Sequence, residues 1–143
     1  MISFYTAGKT WQAVKFAMLR DIMGYPVKAR WIDLDPNSDL VQNQKDILWK
    51  QCFEDVRDSN FVLLYSEQEE EEQRGALVEI GMAYGLNKPV YAINKCKSLR
   101  ANDISDVAFT HFHLWTWVPE TTLSKGAAWA TAHYMKNYMR KVA

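Results

Sequence analysis

One helical segment carries an acid in otherwise apolar surroundings. Arg74-Gly75-Ala76-Leu77-Val78-Glu79-Ile80-Gly81-Met82-Ala83-Tyr84-Gly85-Leu86 has Glu79 as its only acidic residue. The positions one turn away on the same face are Gly75, Ala76, Met82 and Ala83, none of them a cation. A carboxylate in such a place costs free energy unless it is hydrogen-bonded or used, while proximity to the helix amino terminus favours its ionised form. That combination suits a nucleophile in a partly closed pocket; it also fits a carboxylate that caps backbone or pairs with a distant cation. Gly75 and Gly81 remove side chains on either side of Glu79, leaving room for a ligand or a second helix.

The elements that position Glu79 alternate between short β-like runs and helical runs, the pattern of a parallel sheet covered by helices. Residues 2–6 read as the first strand. A helix follows with Trp11, Val14, Ala17, Met18 and Ile22 as its inward stripe, stopped by Gly24-Tyr25-Pro26. Residues 27–33 read as a second strand, and Asp35-Pro36-Asn37-Ser38 leads to a helix with Ile47, Leu48, Cys52, Phe53 and Val56 on one face. Residues 61–65 are apolar throughout, as a central strand buried on both faces requires. The helix of Glu79 is third; after Asn87-Lys88-Pro89, residues 90–94 form the fourth strand. The stretch 95–108 takes no clear element, 111–117 alternates as a fifth strand, and Leu123, Ala127, Ala130, Tyr134 and Tyr138 mark a last helix.

Five such units with right-handed crossovers predict a single α/β domain over 1–143, a flavodoxin-like five-stranded parallel sheet of order 2-1-3-4-5 with helices on both faces. In that order a crevice opens at the carboxyl ends of strands one and three. It would be lined by Tyr5, Thr6, Ala7 and Gly8, by Tyr65 and Ser66, and by the start of the third helix.

The run from Arg74 to Leu86 with Asn87-Lys88-Pro89-Val90 resembles the Gly-x-x-x-Glu-x-Gly-x-Ala segment, followed by Lys-Pro-Val, of nucleoside 2-deoxyribosyltransferases and the related nucleotide N-glycosidases. Tyr5-Thr6-Ala7-Gly8 and Glu54-Asp55-Val56-Arg57-Asp58-Ser59-Asn60 extend the likeness over about the first two thirds of the chain. The resemblance implies that Glu79 attacks the anomeric carbon and forms a glycosyl-enzyme ester, which water or a second base releases. The helix-two acid of many members falls on Cys52, with Asp55 one turn later as a substitute, and a polar position six residues before the glutamate is Gln73. Asp33, Asp35 and Asp55 are candidates for the acid that protonates the leaving base. Tyr5 is a candidate to steer Glu79 or bind the sugar, and Asn94 to reach this crevice or a neighbouring subunit's. The family usually assembles as a homodimer or higher homo-oligomer, and the aromatic carboxyl-terminal third, with Trp115, Trp117, Trp129 and Tyr134, is a candidate interface.

Composition narrows the alternatives. The 143 residues balance 17 Lys and Arg against 17 Asp and Glu, so nothing favours duplex nucleic acid through phosphate contacts. Cys52 and Cys96 lack CxxC spacing, which fits a reducing compartment. No apolar run reaches a membrane span, and the chain is expected to be soluble, cytoplasmic and free of membrane, metal or cofactor. Ala7-Gly8-Lys9-Thr10 ends like a phosphate-binding loop, but Ser3 stands where the motif needs glycine. Glu67-Gln68-Glu69-Glu70-Glu71-Glu72 reads as a mobile, solvated loop, and His111 and His113 as packing or subunit contacts. The expected ligand is a small nucleoside or nucleotide. Rival readings are a catalytically silent nucleotide-binding or interaction protein and a glycohydrolase of the NAD type.

Overall fold

The computed structural model describes residues 2–69, 71–100 and 108–139. Three runs that are apolar at nearly every position form the buried strands β1 (Phe4–Ala7), β2 (Phe61–Tyr65) and β3 (Val90–Ile93), and a shorter β4 (Trp115–Trp117) completes the sheet. Their order is β1-β2-β3-β4, with every neighbouring pair parallel. Parallel neighbours need long crossovers. The helices are α1 (Ala13–Asp21), the single turn α2 (Asp39–Gln42), α3 (Lys45–Arg57), α4 (Arg74–Gly85) and α5 (Leu123–Tyr134). None of the described helices is long and apolar enough to cross a membrane.

Strand side chains alternate between the faces of the sheet, and the register Phe4↔Phe61, Leu63↔Tyr91, Tyr65↔Ile93 aligns one aromatic-rich face. There Phe61 meets Tyr134, Tyr91 meets Trp129, and Phe16 of α1 meets Tyr65 edge-on. Tyr5 lies on the opposite face, where its hydroxyl adjoins Cys52 of α3 and Glu79 of α4. Helices therefore cover both faces, as expected.

Among the described residues the sheet nevertheless has four strands where five were expected. Residues 27–33 contribute one parallel bridge, Val27 to Phe4, and then wind into a 3-10 turn over Arg30–Asp33. The ladder begins normally, with Phe4 N–H donating to Pro26 O and Lys28 N–H to Phe4 O. It ends because side chains take the next groups. The Trp31 indole N–H donates to Thr6 O at 2.9 Å, and the Arg30 N–H donates to an Asp55 carboxylate oxygen at 2.9 Å.

The stripe assigned to the first helix is real but faces outward. Val14 is 69% and Ile22 73% exposed, and Trp11 and Met18 are also exposed, while Gln12, Phe16 and Leu19 turn inward. Ile47 and Phe53 of α3 are likewise exposed, leaving Cys52, Asp55 and Val56 to face the core. The fifth predicted strand shortens to β4; His111 and His113 precede it and are exposed. Within the unassigned stretch 95–108, residues 101–107 lie outside the described residues. The expected inward stripe of the last helix holds, with Leu123, Ala127 and Ala130 buried and Tyr134 on Phe61. Trp115 is buried, and Trp117, Trp129 and Tyr134 are half-buried against the core.

α5 can lie close to β3 because residue 126 is glycine: a Cβ there would stand 2.3 Å from Ile93 Cδ1 and 2.7 Å from its Cγ1. Gly81, by contrast, has nothing within 4 Å of such an atom, so among the described residues no helix packs into the room it leaves. The same substitution should act oppositely at the two sites. Gly126→Ala should lower stability by about 1–3 kcal/mol through overpacking, and Gly81→Ala should raise it by up to about 1 kcal/mol through helix propensity; thermal or urea denaturation reads both.

Candidate active site

A cleft of about 510 Å³ opens between the end of β1, the 3-10 turn at Arg30–Asp33, α3 and the start of α4. Of the residues expected at the site, Gly8, Cys52, Gln73, Gly75 and Glu79 line it. Each arrives for a local reason. Gly8 follows β1 where a Cβ would stand 3.0 Å from Tyr65 O and 3.1 Å from Phe16, so a larger residue would crowd the β2 backbone and the Phe16 ring where the chain turns. Gln73 is buried just before α4, where its amide nitrogen donates to Tyr65 O at 3.3 Å and Ser66 Oγ at 3.2 Å. Gly75 leaves space against which the Trp49 ring rests, 3.7 Å from where a Cβ would be.

Glu79 is 8% exposed, and its Oε2 is buried without a hydrogen-bond partner. Burial pushes its carboxyl from the ordinary 4.5 up to about 8, and the adjoining Tyr5 hydroxyl draws it partly back. The Tyr5 oxygen is also buried without a hydrogen bond of good geometry, and burial, then Glu79 and Cys52, push its ionisation well up. Burial raises the Cys52 thiol to about 11, against the pull of Tyr5. The cluster thus holds one group that can ionise near neutrality, Glu79, flanked by two that stay neutral there.

The other expected residues lie elsewhere. Asp55 accepts from Arg30 Nε at 3.0 Å and from the Arg30 backbone N–H, so it anchors the turn and does not line the cleft. Asp33 takes a two-pronged bond from Arg20 at 2.7 and 2.9 Å, and Asp35 accepts the Asn37 N–H within its own exposed loop. Thr6 and Ala7 are buried in β1. Ser66 is buried and serves Gln73, and Asn94, at φ 67°, donates to Ser66 O and Thr121 O, tying the ends of β2 and β3 to the approach to α5.

Sequence reasoning missed Trp31 and Trp49, whose half-buried indoles line the cleft with Leu48 and Thr10. Trp49 stands three residues before Cys52 on the same helix face, a usable signal. Trp31 had none, since its place depends on the turn that replaces the expected strand. Lys9 and Arg74, cations near the two helix starts, also line the cleft.

The acidic run stays exposed at Glu67, Gln68 and Glu69, as expected, but is tied down at several points; Glu70 lies outside the described residues. Glu67 pairs with Lys15 and accepts the Tyr65 hydroxyl, and Glu69 pairs with Arg100. Glu71 is buried and accepts the Glu67 and Gln68 N–H groups. Glu72, which lines the cleft, pairs with Arg74 at 3.2 Å and Lys97 at 3.4 Å. No group of three or more metal-ligating side chains gathers among the described residues.

Two predictions follow from these contacts. The raised Glu79 carboxyl keeps in the folded chain a proton that the unfolded chain releases, so its contribution to stability is full below pH 4.5 and is lost as pH rises through 8. The melting temperature of Glu79→Gln minus that of the wild type should therefore be smallest near pH 4.5 and widen toward pH 8; parallel curves would mean that the carboxylate is already ionised at neutral pH. Asp55→Ala strands the Arg30 N–H and should lower stability by about 1–3 kcal/mol, read by urea denaturation.

Compared with protein-family models the chain matches none, and no curated protein is significantly similar to it.

Proposed function

We propose that the protein cleaves the N-glycosidic bond of a nucleoside or nucleotide, in the manner of the nucleoside 2-deoxyribosyltransferases and related N-glycosidases, with Glu79 as the nucleophile. The observation that carries this reading is the buried Glu79 carboxyl, one oxygen of which has no hydrogen-bond partner, on the wall of a cleft flanked by two indoles. The volume lies within the range of small-ligand sites, about 300–1,000 Å³, and indole rings suit a flat heterocycle. Support at the level of the fold comes from the Val27 bridge outside β1, where the second strand of a flavodoxin-like 2-1-3-4-5 order would stand.

In this mechanism Glu79 Oε attacks the anomeric carbon as the bond to the base nitrogen breaks, passing through an oxocarbenium-like transition state to a glycosyl ester. Water or a second base then attacks that carbon and frees the carboxylate. Tyr5, facing Glu79 from β1, acts as a positioning residue. The homo-oligomer expected for such an enzyme finds support in the apolar outer face of α1, where Trp11, Val14, Met18 and Ile22 are exposed. A second reading, a binding protein without turnover, draws on the engagement of Asp55 by Arg30, which removes an expected acidic companion of Glu79.

Incubation with ribo- and deoxyribonucleosides and their monophosphates, followed by chromatography, should detect released base. Glu79→Gln should slow release by roughly 1,000-fold or more, since it removes the nucleophile of a covalent route. Release unaffected by Glu79→Gln would remove Glu79 from the chemistry. If no base appears and a nucleotide still raises the melting temperature, the binding reading prevails.

A further inference from the structure

We propose that this site selects N-glycosides whose base carries a fixed positive charge, such as an N-ribosylated pyridinium or an N7-alkylated purine, because among the described residues the cleft pairs a nucleophilic carboxylate with indoles but holds no second carboxyl group free to protonate a leaving base. The inference rests on the N-glycosidase reading above and adds the class of base.

A neutral nucleobase departs as an anion unless a positioned acid protonates it, and an efficient acid titrates near the working pH. The groups facing Glu79 can be taken element by element. From β1 comes Tyr5 and from α3 comes Cys52, whose thiol titrates at about 11 and whose phenolic neighbour lies higher than an ordinary tyrosine, so both are weak donors. Ahead of α4, the Glu72 carboxylate is occupied by Arg74 and Lys97. Lys9 and Arg74 bring positive charge to the lining. Of the aspartates expected to act as acids, Asp55 is held by Arg30, Asp33 by Arg20 and Asp35 by the Asn37 N–H of its own loop, and none of the three lines the cleft.

A cationic base removes the need for that acid. As the bond between C1′ and the ring nitrogen breaks, its electron pair passes to the nitrogen and cancels the positive charge, so the base leaves neutral without gaining a proton. A bond from Glu79 Oε to C1′ forms at the same time. Water then displaces the carboxylate from C1′, yielding the free sugar, a proton and the regenerated Glu79. The same charge answers a second difficulty: burial disfavours the ionised Glu79 that must attack, and a cation within a few ångströms restores it. Trp31 and Trp49 complete the fit, since indole rings attract flat cations more strongly than neutral heterocycles.

The test is a matched panel with the full chain: 7-methylguanosine against guanosine and nicotinamide riboside against uridine, each as riboside, 2′-deoxyriboside and 5′-monophosphate. Glu79→Gln supplies the background. The cationic members should exceed their neutral counterparts in kcat/KM by roughly 100-fold or more, the contribution that a positioned acid would otherwise make. Trp49→Leu should raise KM for the cationic members roughly five-fold or more while changing it less for the neutral ones. Neutral members cleaved within ten-fold of their cationic partners, in a Glu79-dependent way, would overturn the preference and leave the N-glycosidase reading standing. No Glu79-dependent release from any member would overturn both.

Discussion

The site depends on keeping one carboxyl group inside an apolar wall. Glu79 faces the sheet from α4, and Tyr5 and Cys52 meet it from β1 and α3 with hydroxyl and thiol groups that bring no countercharge. The desolvation that raises this group would be a defect in a structural residue. In a reaction centre it stores an electrostatic demand that a positive charge on the substrate or transition state satisfies.

The edge of the sheet is shaped by the same logic of competing partners. A fifth strand would have carried the β1 ladder past Val27, and the turn at Arg30–Asp33 forms because Trp31 and Asp55 take the hydrogen-bonding groups that such a strand would use. That exchange has two results for the cleft. It swings an indole to the mouth of β1, and it commits Asp55 to a structural ion pair with Arg30, away from Glu79. The placement of Trp31 and the commitment of Asp55 are thus consequences of one local rearrangement.

The acidic run after β2 shows how pairing changes the meaning of a charge pattern. Glu67, Glu69 and Glu72 each meet a cation, Glu71 folds back onto backbone N–H groups, and Gln73 pins the segment to the end of β2. The segment therefore ties the start of α4, the helix of Glu79, to the end of β2. Read along the chain, six consecutive acidic or amide residues carry no hint of these partners, because Lys15, Lys97 and Arg100 lie far away in sequence.

Much was legible without coordinates. Strand composition marked β1, β2 and β3, the parallel α/β class followed from their alternation with helices, and the isolation of Glu79 on its helix followed from neighbours three and four positions away. These features are local, set by side-chain periodicity and the need to satisfy backbone groups within short segments. Tertiary structure alone decided which apolar stripe of α1 turned inward, since Phe16 and Leu19 win the contact with the sheet over an equally periodic outer set. It also decided that Asp55 serves Arg30 and that Trp31 lines the cleft. Each of those outcomes is a competition between partners distant in the chain, and periodicity along one segment carries no information about which distant partner wins.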